Sequence, residues 1–182
     1  TVSGTSISFG SPAEFNGTGV SKQSVTFDST ANKVVIAYKG DSQHGHVRVG
    51  TVSGTSISFG TPVEFDSASV QYTIYPIYDS NAKRVVILYR QSSQTRAIVG
   101  TVSGTSISFG SEATFNATQS NYVSVGFDSN SNKVVVLYSD AVGGSCVVGT
   151  VSGTSISFGT ETRVGTSTST AFTGMSFDPV NN

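Results

Sequence analysis

The sequence lacks Trp, and its 182 residues include one Cys and one Met. A single Cys excludes a disulfide framework within the chain. Charged residues make up 12% of the chain, about half of their usual share in globular proteins. The net charge of −1 provides no basic surface for nucleic acid or an anionic membrane. No apolar run approaches the roughly 20 residues that span a bilayer. We therefore expect neither a nucleic-acid partner nor insertion into a membrane.

What the chain does have is a perfect internal repeat. The decapeptide TVSGTSISFG occurs four times, at Thr1–Gly10, Thr51–Gly60, Thr101–Gly110 and Thr150–Gly159. The copies follow one another at offsets of 50, 50 and 49 residues. A period of this length is typical of solenoids, propellers and other arrays of one supersecondary unit.

One repeat predicts four short antiparallel strands. Ser24–Phe27 alternates polar and apolar residues, as a half-buried strand does. The turn Asp28–Asn32 separates it from Lys33–Tyr38, whose apolar run predicts burial on both faces. Val47–Val52 and Thr55–Phe59 are the third and fourth strands, joined by a Ser-Gly hairpin turn. The spacing of apolar residues is two almost throughout, so no helix is expected.

This pattern predicts an all-β fold of β-propeller type, with tandem four-stranded antiparallel blades. An open array of sheets and a β-solenoid remain alternatives. We expect one repeat domain over residues 1–182, with a partial blade at 1–22, blades at 23–72, 73–122 and 123–171, and the first strand of a further blade at 172–182. The chain then begins with a third and a fourth strand and ends on a first strand, fifteen strands in all, so a second strand is missing between its ends. We expect a segment of a longer repeat protein or strand exchange between copies.

Two extended motifs carry a resemblance to a known group of proteins. VGTVSGTSISFG stands at Val49–Gly60, Val99–Gly110 and Val148–Gly159, and FDSxxNKVV stands at Phe27–Val35 and Phe127–Val135. With them the chain resembles tandem repeats of predicted tail-fibre and structural proteins of marine bacteriophages, and of some bacterial surface proteins, over nearly its whole length. The resemblance implies a β-propeller-like adhesive or structural module. It assigns no functional residue. Together with the hydroxyl-rich composition, it leads us to expect an extracellular or virion-surface location.

Isolated features that suggest chemistry have simpler interpretations. His44 and His46 lie two residues apart, so a strand would direct both to one side, but no third metal ligand is evident. Asp128–Asn132 begins like a calcium loop and lacks the glycine and the distal Glu of one, which favours an Asx-type turn. Cys146 corresponds to Val47 and Ala97 in the other repeats, which indicates a small core residue.

The carboxylates do not form an evident acid and base pair. Glu14 and Glu64 correspond to Thr114 and Arg163 in the other repeats, which favours solvated edge positions over a glycosidase site. We therefore expect a protein that is not an enzyme and needs no metal or cofactor.

The loops that differ between repeats are the candidate binding surface, because function concentrates on loops held by a rigid scaffold. Drift of unconstrained positions explains their variation equally well. They are Gly17–Lys22, Gly40–Gly45, Ser67–Tyr72, Gln91–Arg96, Thr118–Tyr122 and Asp140–Ser145. The candidate ligand-binding residues in and near them are Tyr72, Tyr75, Tyr122, His44, His46 and Arg96.

The expected function is a structural and adhesive module of a virion fibre or surface protein, with a cell-surface glycan, virion proteins or other copies of the chain as partners. The alternative is a soluble carbohydrate-binding lectin of propeller form. A glycosidase and a self-associating spacer are weaker candidates.

Overall fold

The computed structural model describes residues 1–118, 120–165, 174–178 and 180, with the side chains of Tyr72 and Thr73 excepted. This part of the chain contains seventeen strands and no helix, which confirms the all-β prediction. It accordingly has no helix with the length and hydropathy that crossing a membrane requires. The strands are β1 (Val2–Ser3), β2 (Ser6–Ile7), β3 (Ser21–Asp28), β4 (Lys33–Lys39), β5 (Gly45–Ser53), β6 (Ser56–Phe59), β7 (Val63–Asp66), β8 (Val70–Asp79), β9 (Arg84–Gln91), β10 (Gln94–Ser103), β11 (Ser106–Phe109), β12 (Ala113–Asn116), β13 (Asn121–Asp128), β14 (Lys133–Ser139), β15 (Gly144–Ser152), β16 (Ser155–Phe158) and β17 (Thr162–Gly165).

The strands after the short β1–β2 hairpin form three antiparallel sheets, one for each repeat. The first sheet contains β3–β7, the second β8–β12 and the third β13–β17. In each sheet the first four strands follow one another as a meander, and the fifth strand pairs with the third.

The predicted fourth strand is in fact broken in two. In the first sheet, the end of β5 pairs with β6, as in Gly50 opposite Phe59, and the start of β5 pairs with β7, as in Val47 opposite Val63. The break lies between Phe59 and Val63 and contains Gly60 and Pro62, and the same break occurs in the other two sheets, where Glu stands in place of Pro62. This break is why the described residues contain more strands than the fifteen predicted. Residues 174–178, which were predicted to form a strand, have no strand pairing.

The three sheets stack face to face in chain order. We call the side of a sheet toward the preceding repeat its upstream face, and the opposite side its downstream face. Val85, Ile87 and Tyr89 of β9 lie in the apolar cluster shared with the first sheet, and Val86 and Leu88 lie in the cluster shared with the third. All five side chains are at most 1% exposed. The burial on both faces that the apolar run predicts is thus confirmed for the second sheet.

The glycine at the tenth decapeptide position permits this stacking. A Cβ atom on Gly60 would overlap the carbonyl oxygen of Thr105 in the next repeat, and one on Gly110 would overlap that of Thr154. Gly10 has the same relation to Thr55, so residues 1–10 pack on the first sheet as each repeat packs on the next. The decapeptide therefore needs glycine here because two backbones meet, and no side chain fits between them.

Candidate functional site

A cleft of about 210 Å³ lies between residues 1–20 and the first sheet, beside the loop that joins β4 to β5. Two aromatic or imidazole rings, an amide, a carboxylate and a hydroxyl line it. The lining residues are Asn16, Thr18, Tyr38, Gly40, Asp41, His46 and Pro62. In a concave surface of this kind, a small number of polar groups is enough to orient a small polar ligand.

Tyr38 and His46 form one wall of this cleft. They are directly opposite each other on β4 and β5, and their rings stack with centroids 5.7 Å apart at an angle of 22°. The Tyr38 ring is 1% exposed, and burial raises the pKa of its hydroxyl. The hydroxyl therefore stays protonated at neutral pH, and it donates a long hydrogen bond of 3.4 Å to Asn16 Oδ1.

The two predicted histidines come together with a carboxylate from β7. The His44 and His46 rings stack with centroids 6.4 Å apart. Glu64 Oε2 lies 2.8 Å from His44 Nδ1 and 3.8 Å from His46 Nε2, because the β5–β7 register places Glu64 opposite His46. No group of three or more His, Cys, Asp or Glu among the described residues has the arrangement of a metal site. The three side chains are a polar cluster beside the cleft.

The second sheet has an ion pair at the equivalent position. Glu112 stands where the first sheet has Pro62, and it accepts a 2.8 Å hydrogen bond from the hydroxyl of Tyr89, the equivalent of Tyr38. Arg96, in the position of His46, pairs with the same carboxylate and donates a second hydrogen bond to Gln94. Arg96, which the sequence predicted as a ligand-binding residue, is thus paired with side chains of its own sheet.

The third sheet has comparable contacts with different partners. Glu161 accepts hydrogen bonds from the hydroxyl of Tyr138 at 2.5 Å and from Ser145 at 3.0 Å, and it lies 3.0 Å from the Arg163 guanidinium. Burial and the adjoining glutamate raise the pKa of Tyr138, and they do the same for Tyr89 in the second sheet. Both phenols therefore stay protonated at neutral pH and donate hydrogen bonds to their glutamates.

The β14–β15 loop of the third sheet is held by a further ion pair. Asp140 Oδ1 accepts a 2.9 Å hydrogen bond from Arg163 and two more from the backbone N–H groups of Val142 and Gly143. The Arg163 hydrogen bond is the largest cause of the lowered pKa of Asp140. The loop is therefore held by Asp140 from within and by Arg163 from β17.

The predicted tyrosines lie apart from the cleft. Tyr75 is partly buried against the core between the second and third sheets. Tyr122 is 42% exposed, at a bulge near the start of β13, with a positive φ of 48°. Tyr72 stands at the corresponding bulge of β8, and its side chain lies outside the described residues. The structure brings together only His44 and His46 of the six predicted binding residues.

The remaining candidates have structural surroundings. Asp128 Oδ1 accepts hydrogen bonds of 2.9 Å from the backbone of Asn130 and Ser131, which is the predicted Asx-type turn. The same turn recurs at Asp28 and Asp79. Cys146 is half-buried, and burial raises the pKa of its thiol, which opposes the formation of a thiolate nucleophile.

Sequence reasoning found part of the cleft. Its variable loops Gly17–Lys22 and Gly40–Gly45 contain Thr18, Gly40 and Asp41. It passed over Asn16, Tyr38 and Pro62 as binding residues, and it placed Glu64 at a solvated edge. One signal was available in the sequence: Pro62 occupies a position that is Glu in the next two repeats, so the first repeat differs there in charge and shape.

Comparison with known protein families, with characterised proteins and with solved structures gives no match for this chain.

Proposed function

We propose that this chain is a non-enzymatic structural and adhesive module of β-propeller type, part of a virion fibre or surface protein, which binds a glycan through the loops around the first-sheet cleft. The single observation that carries the binding role is this cleft. It lies in the first repeat, where Pro62 leaves the Tyr38 hydroxyl with only a 3.4 Å hydrogen bond to Asn16, whereas Glu112 and Glu161 occupy the equivalent position in the second and third repeats and accept hydrogen bonds from Tyr89 and Tyr138.

The propeller arrangement has support from how the sheets approach one another. β8 contacts both β3 and β13, the first strands of the neighbouring sheets, more extensively than the outer strands contact across the same gaps. Sheets that converge at one edge are typical of blades arranged around an axis. Backbone atoms also join the sheets, since the N–H of Val70 donates a 2.9 Å hydrogen bond to the carbonyl of Gln43.

The proposal that the ligand is a glycan rests on the side chains that line the surface. A second groove of about 300 Å³, lined by Lys22, Lys39, Gln43, Ser69 and Gln71, lies on the other side of the same β4–β5 loop. The cleft and this groove together present amide, hydroxyl and charged side chains. An extended, hydroxyl-rich polymer matches these groups better than a compact apolar ligand does.

The contacts of the carboxylates support a role other than catalysis. Glu64 pairs with His44, Glu112 with Tyr89 and Arg96, and Glu161 with Tyr138 and Ser145. Each of these groups holds a neighbouring side chain in place, and a general acid or base must instead face a substrate.

A soluble lectin is the second candidate, and the presence of one open cleft favours it. The two functions differ in what they bind. A lectin binds a free oligosaccharide in solution, whereas an adhesive module needs many copies of itself and of its target, because each contact alone is weak.

The test is the substitution Pro62→Glu, which introduces the side chain that occupies this position in the other two sheets. We expect it to reach the Tyr38 hydroxyl, close the cleft and remove binding to an immobilised glycan array, with no loss of stability. Thr61→Glu is the matched control, because it adds the same charge at the exposed neighbouring position. Equal binding by wild type and Pro62→Glu would overturn the proposed site, and no binding by the wild type to any glycan would overturn the glycan itself. Calorimetry with a free oligosaccharide then separates the lectin from the module.

A further inference from the structure

The two outermost sheet faces of the described chain are apolar and partly uncovered. On the downstream face of the third sheet, Val148 is 42% exposed, and its equivalents Val49 and Val99 in the other two sheets are at most 1% exposed. Val164 on the same face is 59% exposed, and its equivalent Phe65 is 7% exposed. Where a following repeat covers these positions, Val49, Val99 and Phe65 are buried and Phe115 is partly buried.

The upstream face of the first sheet is uncovered in a different place. Val25 and Phe27 of β3 are 60% and 50% exposed. Their equivalents Val125 and Phe127 in β13 are partly buried against the core that the second and third sheets share. The open area on this face therefore lies at the first strand.

Each end face is also covered in part, and the covered parts are complementary. Residues 1–20 cover the outer strands of the first sheet, where Phe15 packs on Tyr38 and Phe59 with ring centroids 5.4 and 6.3 Å away. Residues 174–178 cover the first strand of the third sheet, since a Cβ atom on Gly126 would lie 2.9 Å from Met175 Sδ. One end thus lacks a covering first strand, and the other lacks covering outer strands.

We propose that a second copy of this chain occupies these faces in a head-to-tail stack, with the first decapeptide of one copy on the downstream face of the third sheet of another. Thr1–Gly10 of the incoming copy then covers Val148 and Val164. In the same contact, residues 174–178 of the first copy cover Val25 and Phe27 of the incoming copy. The two covering segments lie side by side, as the first and outer strands do within a sheet.

The docking contact is one that the chain already makes three times. Gly10 meets the carbonyl of Thr55, Gly60 that of Thr105, and Gly110 that of Thr154. Gly159 ends the last copy of the same decapeptide, and the nearest atom to a Cβ there is the Val148 carbonyl oxygen at 3.7 Å. Because all four decapeptides are identical, Thr5 of an incoming copy presents to Gly159 the same backbone that Thr154 presents to Gly110.

This inference goes beyond glycan binding and does not depend on it. The contact is heterologous, since two different surfaces meet, so it produces a ring if the rotation closes and a filament if it does not. The assembly would grow because the contact between neighbouring repeats of one chain is repeated between the last repeat of one chain and the first residues of the next.

The test is light scattering with size exclusion on the 182-residue chain over a wide range of concentrations. We expect the mass to rise above the 18.8 kDa of one chain as concentration increases. Gly159→Ala should weaken association by about 5- to 150-fold, because overpacking a close contact costs that much, and should leave the unfolding of the single chain unchanged. Val164→Lys should weaken it by placing a charge on the docking face. Val142→Lys is the control, since Val142 is 61% exposed on the β14–β15 loop and away from this face.

A chain that stays monomeric at every concentration would overturn the proposal. So would association that Gly159→Ala and Val164→Lys leave at wild-type strength, because the contact would then lie elsewhere. If Gly159→Ala itself lowers the melting temperature of the single chain, the test rests on the other pair of variants. Weaker association of Val164→Lys than of Val142→Lys would support the proposal, and equal association would overturn it.

Discussion

The first and third copies of the decapeptide have the same ten residues and opposite surroundings. Ile7 and Phe9 are 60% and 83% exposed, whereas Ile107 is 4% exposed and Phe109 is partly buried against the core. The third copy has the first sheet on its upstream side, and no described residue lies on that side of the first copy. Identical sequence therefore gives different burial, because burial depends on which element lies opposite.

The local structure of the copies nevertheless agrees. Gly4, Gly54, Gly104 and Gly153 all adopt a φ between 58° and 60° at the hairpin turn. The cross-strand pairs also match, with Val2 opposite Ile7 in the first copy and Val102 opposite Ile107 in the third. The turn is thus encoded in the ten residues, and the neighbouring repeat decides only what the strands bury.

The largest expected difference between the copies comes from truncating the isoleucine. Ile107→Ala should lower the free energy of unfolding by about 2–5 kcal/mol, because it leaves a cavity between the first two sheets. Ile7→Ala should change it by no more than about 0.5 kcal/mol, as exposed substitutions do. Urea denaturation of the two variants measures both values. Equal losses would show that the first copy is buried in solution.

The glycines provide the next comparison. Gly110→Ala should cost about 1–3 kcal/mol, since its Cβ overlaps the Thr154 carbonyl and the two repeats must separate. Gly159→Ala, measured on the dilute single chain, should cost much less, because no following decapeptide meets it within the described residues. Thermal unfolding of the two variants measures both losses of stability. A Gly110→Ala variant as stable as wild type would contradict the stacking geometry.

The tyrosine hydroxyls should differ by a smaller amount. Tyr89→Phe removes a 2.8 Å hydrogen bond to the Glu112 carboxylate, so we expect a loss of about 1–3 kcal/mol. Tyr38→Phe removes only a 3.4 Å contact to Asn16, so we expect at most about 0.5 kcal/mol. Denaturant titration of both variants measures the difference, and a costly Tyr38→Phe would mean that the cleft tyrosine has a stronger partner than Asn16.

The smallest expected effect concerns the charged loop of the third sheet. The pKa of Asp140 is lowered in the folded chain relative to about 3.9 in an unfolded one. Its ionised form therefore stabilises the fold above that value, and the stabilisation is lost as pH falls through the folded pKa. Because the pair with Arg163 is partly solvated, Asp140→Asn should cost about 0–1 kcal/mol at pH 7.

The contribution of Asp140 can be checked by measuring the melting temperatures of wild type and Asp140→Asn between neutral and strongly acidic pH. Asp140→Asn should flatten the acid limb of the profile, and added salt should reduce its difference from wild type. Asp41→Asn is the matched control, because the Asp41 carboxylate accepts a hydrogen bond from the adjacent Ser42 backbone and forms no ion pair with any described residue. An unchanged acid limb in Asp140→Asn would contradict a stabilising role for the pair.

The period of the apolar residues made most of the fold predictable. Alternation in Ser24–Phe27 and the apolar run Lys33–Tyr38 predicted strands, and β3 and β4 contain them. The Asp-led turns followed from side-chain chemistry that acts within three residues. The break at Pro62 was recognised as a bend, but not the return of Val63–Asp66 to the same partner strand, since that pairing is a long-range choice.

The cleft was less predictable for the same reason. Tyr38 and His46 meet across the β4–β5 hairpin, but Pro62 joins them only because β7 returns to pair with β5. Asn16 reaches the cleft from the preceding repeat, so its role depends on how two repeats stack. Arg96, predicted as a ligand-binding group, is engaged by Glu112, a partner that the sequence places sixteen residues away.

The sequence by itself determined the all-β class, the order of the strands, the hairpin and Asx turns, and the glycine at each contact between repeats. These depend on side-chain periodicity and on dihedral preferences, which act over a few residues. Only the tertiary structure decided which faces are covered, which side chains meet at the cleft, and where two apolar faces remain exposed. Burial and ion pairing depend on the element that lies opposite, and four identical decapeptides cannot specify four different neighbours.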